Sequence, residues 1–245
     1  MTYRRYALLP ALVAAASFGV TADTASAQGR SFTQAFAATT ATPSGFGLHG
    51  GTLGLAFSGS YGPVRFDGQR WDASTVASLG LGDPVNGLGF QIDVNNTSFR
   101  NFGASGYLSL TLHHMFQTNP DGVYSVALTA SNLAPWGDSA FLDPSISFVG
   151  SYMFGIDGRL AIASLGVTTD TNNARDLEVI AGFGVQVAND WSVNAGWVGN
   201  QTVLGASWRP DMLGGMTVGL SVRGLEDSDR RMFGVDISRA FDLRL

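Results

Sequence analysis

Among its 245 residues the chain has no cysteine and no lysine. Without cysteine there is no disulfide framework, no thiolate metal site, no Cys nucleophile and no lipidated N-terminal Cys, which removes the disulfide-scaffold and lipoprotein classes together. Long apolar runs are missing too. The stretch Ala7 to Val20 is shorter than the roughly 20 residues of a spanning helix, and no later stretch offers 18 apolar residues in a row, so a helical membrane protein is not expected. All 14 basic residues are Arg, against 19 acidic ones, a balance that does not suit a nucleic-acid partner.

What is present begins with an export signal. Arg4 and Arg5 form a positive n-region, Ala7 to Val20 an apolar core, and Ala25-Ser26-Ala27 a small-x-small cleavage site before Gln28. Tyr6 and Ala7 do not continue a twin-arginine pattern, so the general secretion route is expected. Loss of Arg4, Arg5 and Asp23 leaves 12 basic and 18 acidic residues, a net charge of −6. The expected division is a signal peptide at 1–27, a periplasmic or lumenal segment at 28–50, and one β-domain at 51–245.

From Thr52 to Leu245 the chain is a succession of segments of about ten residues in which apolar and small or polar residues alternate, separated by turn residues. Leu88, Phe90, Ile92 and Val94 interleave with Gly89, Gln91, Asp93 and Asn95, so one face suits lipid and the other water. Strands are expected at 52–60, 72–82, 87–98, 106–117, 123–133, 145–155, 159–169, 177–188, 191–199, 202–209, 216–225 and 231–242. The fold class is therefore all-β, an antiparallel up-and-down transmembrane β-barrel of about twelve strands, with ten strands or a soluble β-sandwich as alternatives. The 32 Gly, about twice the usual share of roughly 7%, suit strands that curve and close.

Turn lengths orient the barrel. After even strands come compact turns such as Gly82-Asp83-Pro84-Val85-Asn86 and Ile156-Asp157-Gly158, expected on the periplasmic side. After odd strands come longer connections, 61–71, 99–105, 134–144 and 169–176, expected outside, with the tight Gly199-Asn200-Gln201 as the exception. Trp71, Tyr107, Tyr124, Trp191 and Phe233 near strand starts, and Phe99, Phe116, Phe154, Trp208 and Phe241 near strand ends, read as two aromatic girdles. Phe233, Val235, Ile237, Phe241, Leu243 and Leu245 share one parity and resemble the C-terminal assembly signal of outer-membrane proteins, although Arg239 interrupts them.

Several short segments carry a resemblance: Leu79-Gly80-Leu81-Gly82-Asp83-Pro84, Leu112-His113-His114, Pro135-Trp136-Gly137-Asp138, and Gly196 to Gln201 with Leu204 to Ser207. In these the chain resembles an uncharacterised family of Gram-negative, cyanobacterial-type outer-membrane barrel proteins. The resemblance implies a barrel in the outer membrane and brings no activity with it.

By strand parity the candidate lumen-lining residues are Gln91, Asp93, Asn95, Thr111, His113, Glu178, Gln186, Asn194, Arg223 and Asp236, joined by Ser109, Ser125, Thr129, Ser192, Ser221 and Ser238. Eight strands are filled by side chains and sixteen or more leave a channel, so about twelve suit a narrow passive pore for small solutes. The alternative is a non-conducting structural or adhesion barrel acting through its outer loops. His113 and His114 are adjacent on a strand and face opposite sides, so they cannot share a metal. Ser109 or Ser125 with His113 and Asp93 is the trio a barrel hydrolase would recruit. Gly45 to Gly50 matches a dinucleotide pattern as text but precedes a strand instead of opening a helix. No catalytic residue, cofactor or metal is expected. The charged loops 170–176 and 226–231 lack calcium-loop spacing, and Trp136-Gly137-Asp138 reads as a recognition tip or a packed loop anchor. The expected partners are outer-membrane lipid and lipopolysaccharide, and the barrel-assembly machinery during biogenesis.

Overall fold

Alternation of side chains with a period of two leaves each strand with one apolar and one polar face, and closing the sheet is the arrangement that buries every backbone polar group while separating those faces. The computed structural model has this form. It describes residues 42–62, 70–97, 99, 102–119, 122–169, 177–227 and 231–243. The signal peptide expected at 1–27, residues 28–41, and the charged stretches at 170–176 and 228–230 lie outside the described residues.

Twelve strands are present: β1 (Thr52–Tyr61), β2 (Trp71–Gly82), β3 (Gly89–Asn96), β4 (Gly106–Asn119), β5 (Gly122–Trp136), β6 (Ser145–Ile156), β7 (Arg159–Thr168), β8 (Glu178–Ala188), β9 (Trp191–Val198), β10 (Gln201–Trp208), β11 (Thr217–Arg223) and β12 (Met232–Asp242). Each pairs antiparallel with its sequence neighbours, and β12 closes on β1 over the whole length of β1, from Thr52 opposite Asp242 to Tyr61 opposite Phe233. The twelve expected strands thus form, and the two alternatives of ten strands and a sandwich do not.

The faces follow the parity. On β3, Phe90 and Val94 are 48% and 44% exposed on the outer wall, while Asp93 between them is 3% exposed inside. At one rim Ile156 pairs with Arg159 across Asp157-Gly158, both at positive φ (49° and 77°), as a two-residue I′ hairpin requires. Beside that rim, outward Tyr124, Tyr152 and Phe154 stack in series at 4.1 and 4.9 Å, and Trp191 stacks on Trp208 at 5.9 Å. At the opposite rim Tyr61 packs on Trp71 and Phe57 on Phe99.

Two expectations need correcting. Tyr107 is 3% exposed and sits on the inward parity of β4 with Ser109 and Thr111, so it faces inward and does not belong to a lipid-facing girdle. β5 runs on to Trp136, where a loop from 134 was expected, because positive φ at Asn132 and Ala134 and register shifts against β4 let the strand bulge and continue. The Trp136 indole N–H donates to the Gly103 carbonyl at 3.0 Å, and Thr97, Ser105 and Ser139 hydroxyls link at 2.8–3.0 Å. Trp136-Gly137-Asp138 is therefore a packed anchor. Glu226, between β11 and β12, accepts the Thr202 N–H at 2.8 Å.

The barrel interior as candidate functional site

The interior is built from two walls that differ in what covers them. Residues 42–50, before β1, do not trail away from the barrel; they run through it. Thr42 lies against Gly182 of β8 and Gly196 of β9, Gly45 against the backbones of Ser125 on β5 and Val149 on β6, Gly47 against His113 on β4, and Leu48 and His49 against Gly80 on β2. Of the two placements open to residues 28–50, the described part, 42–50, takes the lumenal one.

This segment is held by its own backbone. The Gly45 N–H donates to Ser151 Oγ at 2.8 Å and the Gly45 carbonyl accepts from Ser125 Oγ at 2.6 Å. The Leu48 N–H donates to Gln91 Oε1 at 2.9 Å, and Gln91 Nε2 in turn donates to Asp93 Oδ1 at 2.7 Å. Gly50 and Gly51 N–H groups reach the Gly82 and Gly80 carbonyls at 2.9 and 3.0 Å. The pattern Gly45-Phe46-Gly47, which resembles a nucleotide motif only as text, has a steric meaning instead. A β-carbon at Gly45 or Gly47 would run into strand backbone or the His113 ring.

Phe46 sets the hydrophobic anchor. It is buried among inward-facing Met115, Met153, Leu160 and Ile162, with Val123 beside them. Parity alone treats inward positions as polar, and these apolar ones were not singled out in the sequence. The signal was available, since Met115, Val123, Met153 and Ile162 break the polar face of four successive strands, β4 to β7, within reach of Phe46. Burying such a ring contributes roughly 1.5–3 kcal/mol.

Under and around the segment, Gln91, Asp93, Asn95, Thr111, His113 and Asn194 are buried. Asn95 Nδ2 donates to Ser109 Oγ at 3.2 Å, and Thr111 and Thr129 hydroxyls meet at 2.9 Å. Glu178, Gln186 and Arg223 are half-buried, and Asp236 is buried with Ser58 Oγ donating to its Oδ1 at 2.7 Å. All ten fall on the inner parity of their strands. The other wall, from β11 through β12 and β1 to the outer half of β2, is uncovered: Ser58, Ser60, Ser74, Ser221, Arg223 and Ser238 stay half-exposed.

The serine, histidine and aspartate trio is not assembled. Ser125 is spent on the Gly45 carbonyl, Ser109 on Asn95 and Asp93 on Gln91, and neither serine bonds a His113 ring nitrogen. His114 faces out, its Nδ1 at the Gly87 carbonyl and its ring edge-on to Phe116 at 4.3 Å. Among the described residues no three His, Asp or Glu side chains converge on a common point.

Comparison with known proteins finds likeness in the fold. Two solved structures, a KdgM porin and the KdgM porin in complex with disordered oligogalacturonate, superpose with TM-scores of 0.52 and 0.51 at 7% and 8% identity, covering 77% and 78% of this chain and 99% of theirs. No protein-family profile matches the chain. No curated protein matches it either. The resemblance to a cyanobacterial-type family therefore rests on the short segments quoted above.

Proposed function

We propose that the protein is a narrow passive pore of the outer membrane for small polar solutes, with its path confined to the crescent between β10 and β2. The observation that supports this most directly is the asymmetry of the interior. Residues 42–50 fill the side of β3 to β9, whereas hydroxyl-lined, half-exposed side chains remain on β11, β12, β1 and β2. A pore lined by Ser58, Ser60, Ser221 and Ser238 offers water-like hydrogen bonding to a hydrated or hydroxylated solute without holding it.

Charge narrows the class. Among the described residues on the inner face of the crescent, the carboxylates Asp72 and Asp236 stand against one guanidinium, Arg223. This favours neutral solutes and cations. Oligogalacturonate, the polyanion named with one of the KdgM structures, does not suit such an interior, so the likeness is taken as one of fold. The reading includes export by the leader at 1–27, contacts with lipopolysaccharide at the outer loops, and insertion by the barrel-assembly machinery.

Insertion of the refolded protein into planar bilayers tests the proposal. Discrete conductance steps with a mild cation preference in a salt gradient are expected, from protein that shifts on a detergent gel when boiled. A heat-shifting barrel with no conductance favours the alternative, in which Phe46 and its backbone bonds seal the lumen and the outer loops act alone.

A further inference from the structure

Arg239 breaks the outer apolar face of β12, standing exposed between Ile237 and Phe241 and paired across β1 with Leu55. A charge on that face is costly at the bilayer midplane and costs little near an interface. Arg239 lies near the rim where β1 begins and β12 ends. There β11 starts only at Thr217, opposite Ser238, so Arg239 and the residues after it have no β11 partner and the wall has a notch.

The turn after β10 fills this notch with a glycine shelf. Gly214 and Gly215 both have positive φ, at 58° and 84°. The Arg239 guanidinium lies 3.5 Å from where a Gly214 β-carbon would stand, and the Arg209 guanidinium 3.3 Å from that of Gly215. Two cations thus flank one Gly-Gly pair. The Arg239 guanidinium also lies over the Phe241 ring, 4.9 Å from its centroid, so it is held between that ring and the shelf. Met212, 84% exposed, and the stacked Trp191–Trp208 pair border the shelf as interfacial groups do.

We propose that this notch binds the phosphate of a glycerophospholipid in the periplasmic leaflet, with Arg239 as the principal donor and Arg209 as the second. Guanidinium forks match phosphate oxygens, and the apolar wall at Leu55 and Ile237 receives the acyl chains. Asp211 and Asp242 are exposed at the same rim and Asp190 lies beside Arg209, so a free anion arriving from water meets carboxylates, while a lipid phosphate arrives from the membrane side. The proposal rests on the membrane reading above.

Native mass spectrometry of the detergent-refolded full chain, titrated with phosphatidylglycerol, tests it. One retained lipid is expected, with affinity lowered about tenfold in Arg239→Gln, less in Arg239→Lys, and more in the double variant with Arg209→Gln. Arg159→Gln, whose guanidinium at the same rim donates to the Val187 carbonyl, should bind as the native chain does. Equal retention by Arg239→Gln, equal retention of a diacylglycerol lacking phosphate, or displacement by millimolar inorganic phosphate would each overturn the lipid assignment. Each variant's heat-dependent gel shift is read separately: its loss in the native chain would refute the membrane barrel itself, while its presence leaves the lipid result to stand on its own.

Discussion

Gly47 lies so close to His113 that a β-carbon on it would stand 2.7 Å from both Cε1 and Nδ1 of the ring. The imidazole is 1% exposed and projects from the middle of β4, so it has nowhere to retreat. The lumenal segment and the barrel wall are therefore fitted to each other at a position where only glycine passes.

Gly47→Ala should push residues 42–50 off the wall without unfolding the barrel, since the strands keep their ladders. Overpacking of this kind costs roughly 1–3 kcal/mol. Hydrogen exchange would show faster exchange at the Gly45 and Leu48 amides with the strands unchanged; unchanged protection at both amides would mean the segment is not seated as described.

Phe46→Ala removes the anchor in the Met115, Met153, Leu160 and Ile162 pocket. Buried Phe to Ala changes cost about 3–5 kcal/mol, more than backbone bonds to Ser125, Ser151 and Gln91 are expected to offset. Single-channel conductance should rise and become noisier, approaching that of a chain lacking residues 28–49. Conductance identical to the native protein in both variants would place the path away from the segment altogether.

Arg223 and Asp236 lie on the inner faces of the adjacent strands β11 and β12, in the uncovered crescent. Arg223→Gln should strengthen cation preference and Asp236→Asn should weaken it, each shifting the reversal potential in a tenfold salt gradient by several millivolts in opposite directions. Reversal potentials that move together, or not at all, would remove this wall from the conduction path.

Asp83 in the turn between β2 and β3 is held below the ordinary carboxylate value of 3.8, first by a hydrogen bond from the Asn86 side chain (2.7 Å) and then by the Val85 and Asn86 N–H groups. A lowered folded-state pKa means that its contribution is present at neutral pH and is lost as pH falls through that lowered value. Carboxyl carbon titration by NMR should find Asp83 below 3.8, returning toward it in Asn86→Ala. A value at or above 3.8 in the native chain would show that the turn does not hold.

Much of the architecture was legible because a strand in a closed membrane barrel obeys a local rule. Alternation on β3 sets which side of Asp93 and Phe90 meets lipid, and turn residues such as Asp157-Gly158 mark where the chain reverses, so strands could be placed within about three residues. One exception was non-local, since β5 bulges past Asn132 because of its partner β4; the other was local, since Tyr107 shares the inward parity of Ser109 and Thr111 although it stands near a strand start.

The sequence by itself determined that this chain alternates and turns, because those properties depend on residues next to one another, whereas closure joins β1 to β12 at the far end of the domain. What fills the barrel was decided by the tertiary structure alone. Phe46 meets Ile162 across more than a hundred residues of chain, and Gly45 meets Ser125 and Ser151 only once twelve strands have closed around them. No local periodicity encodes those meetings, since they arise from the radius and stagger of the closed sheet.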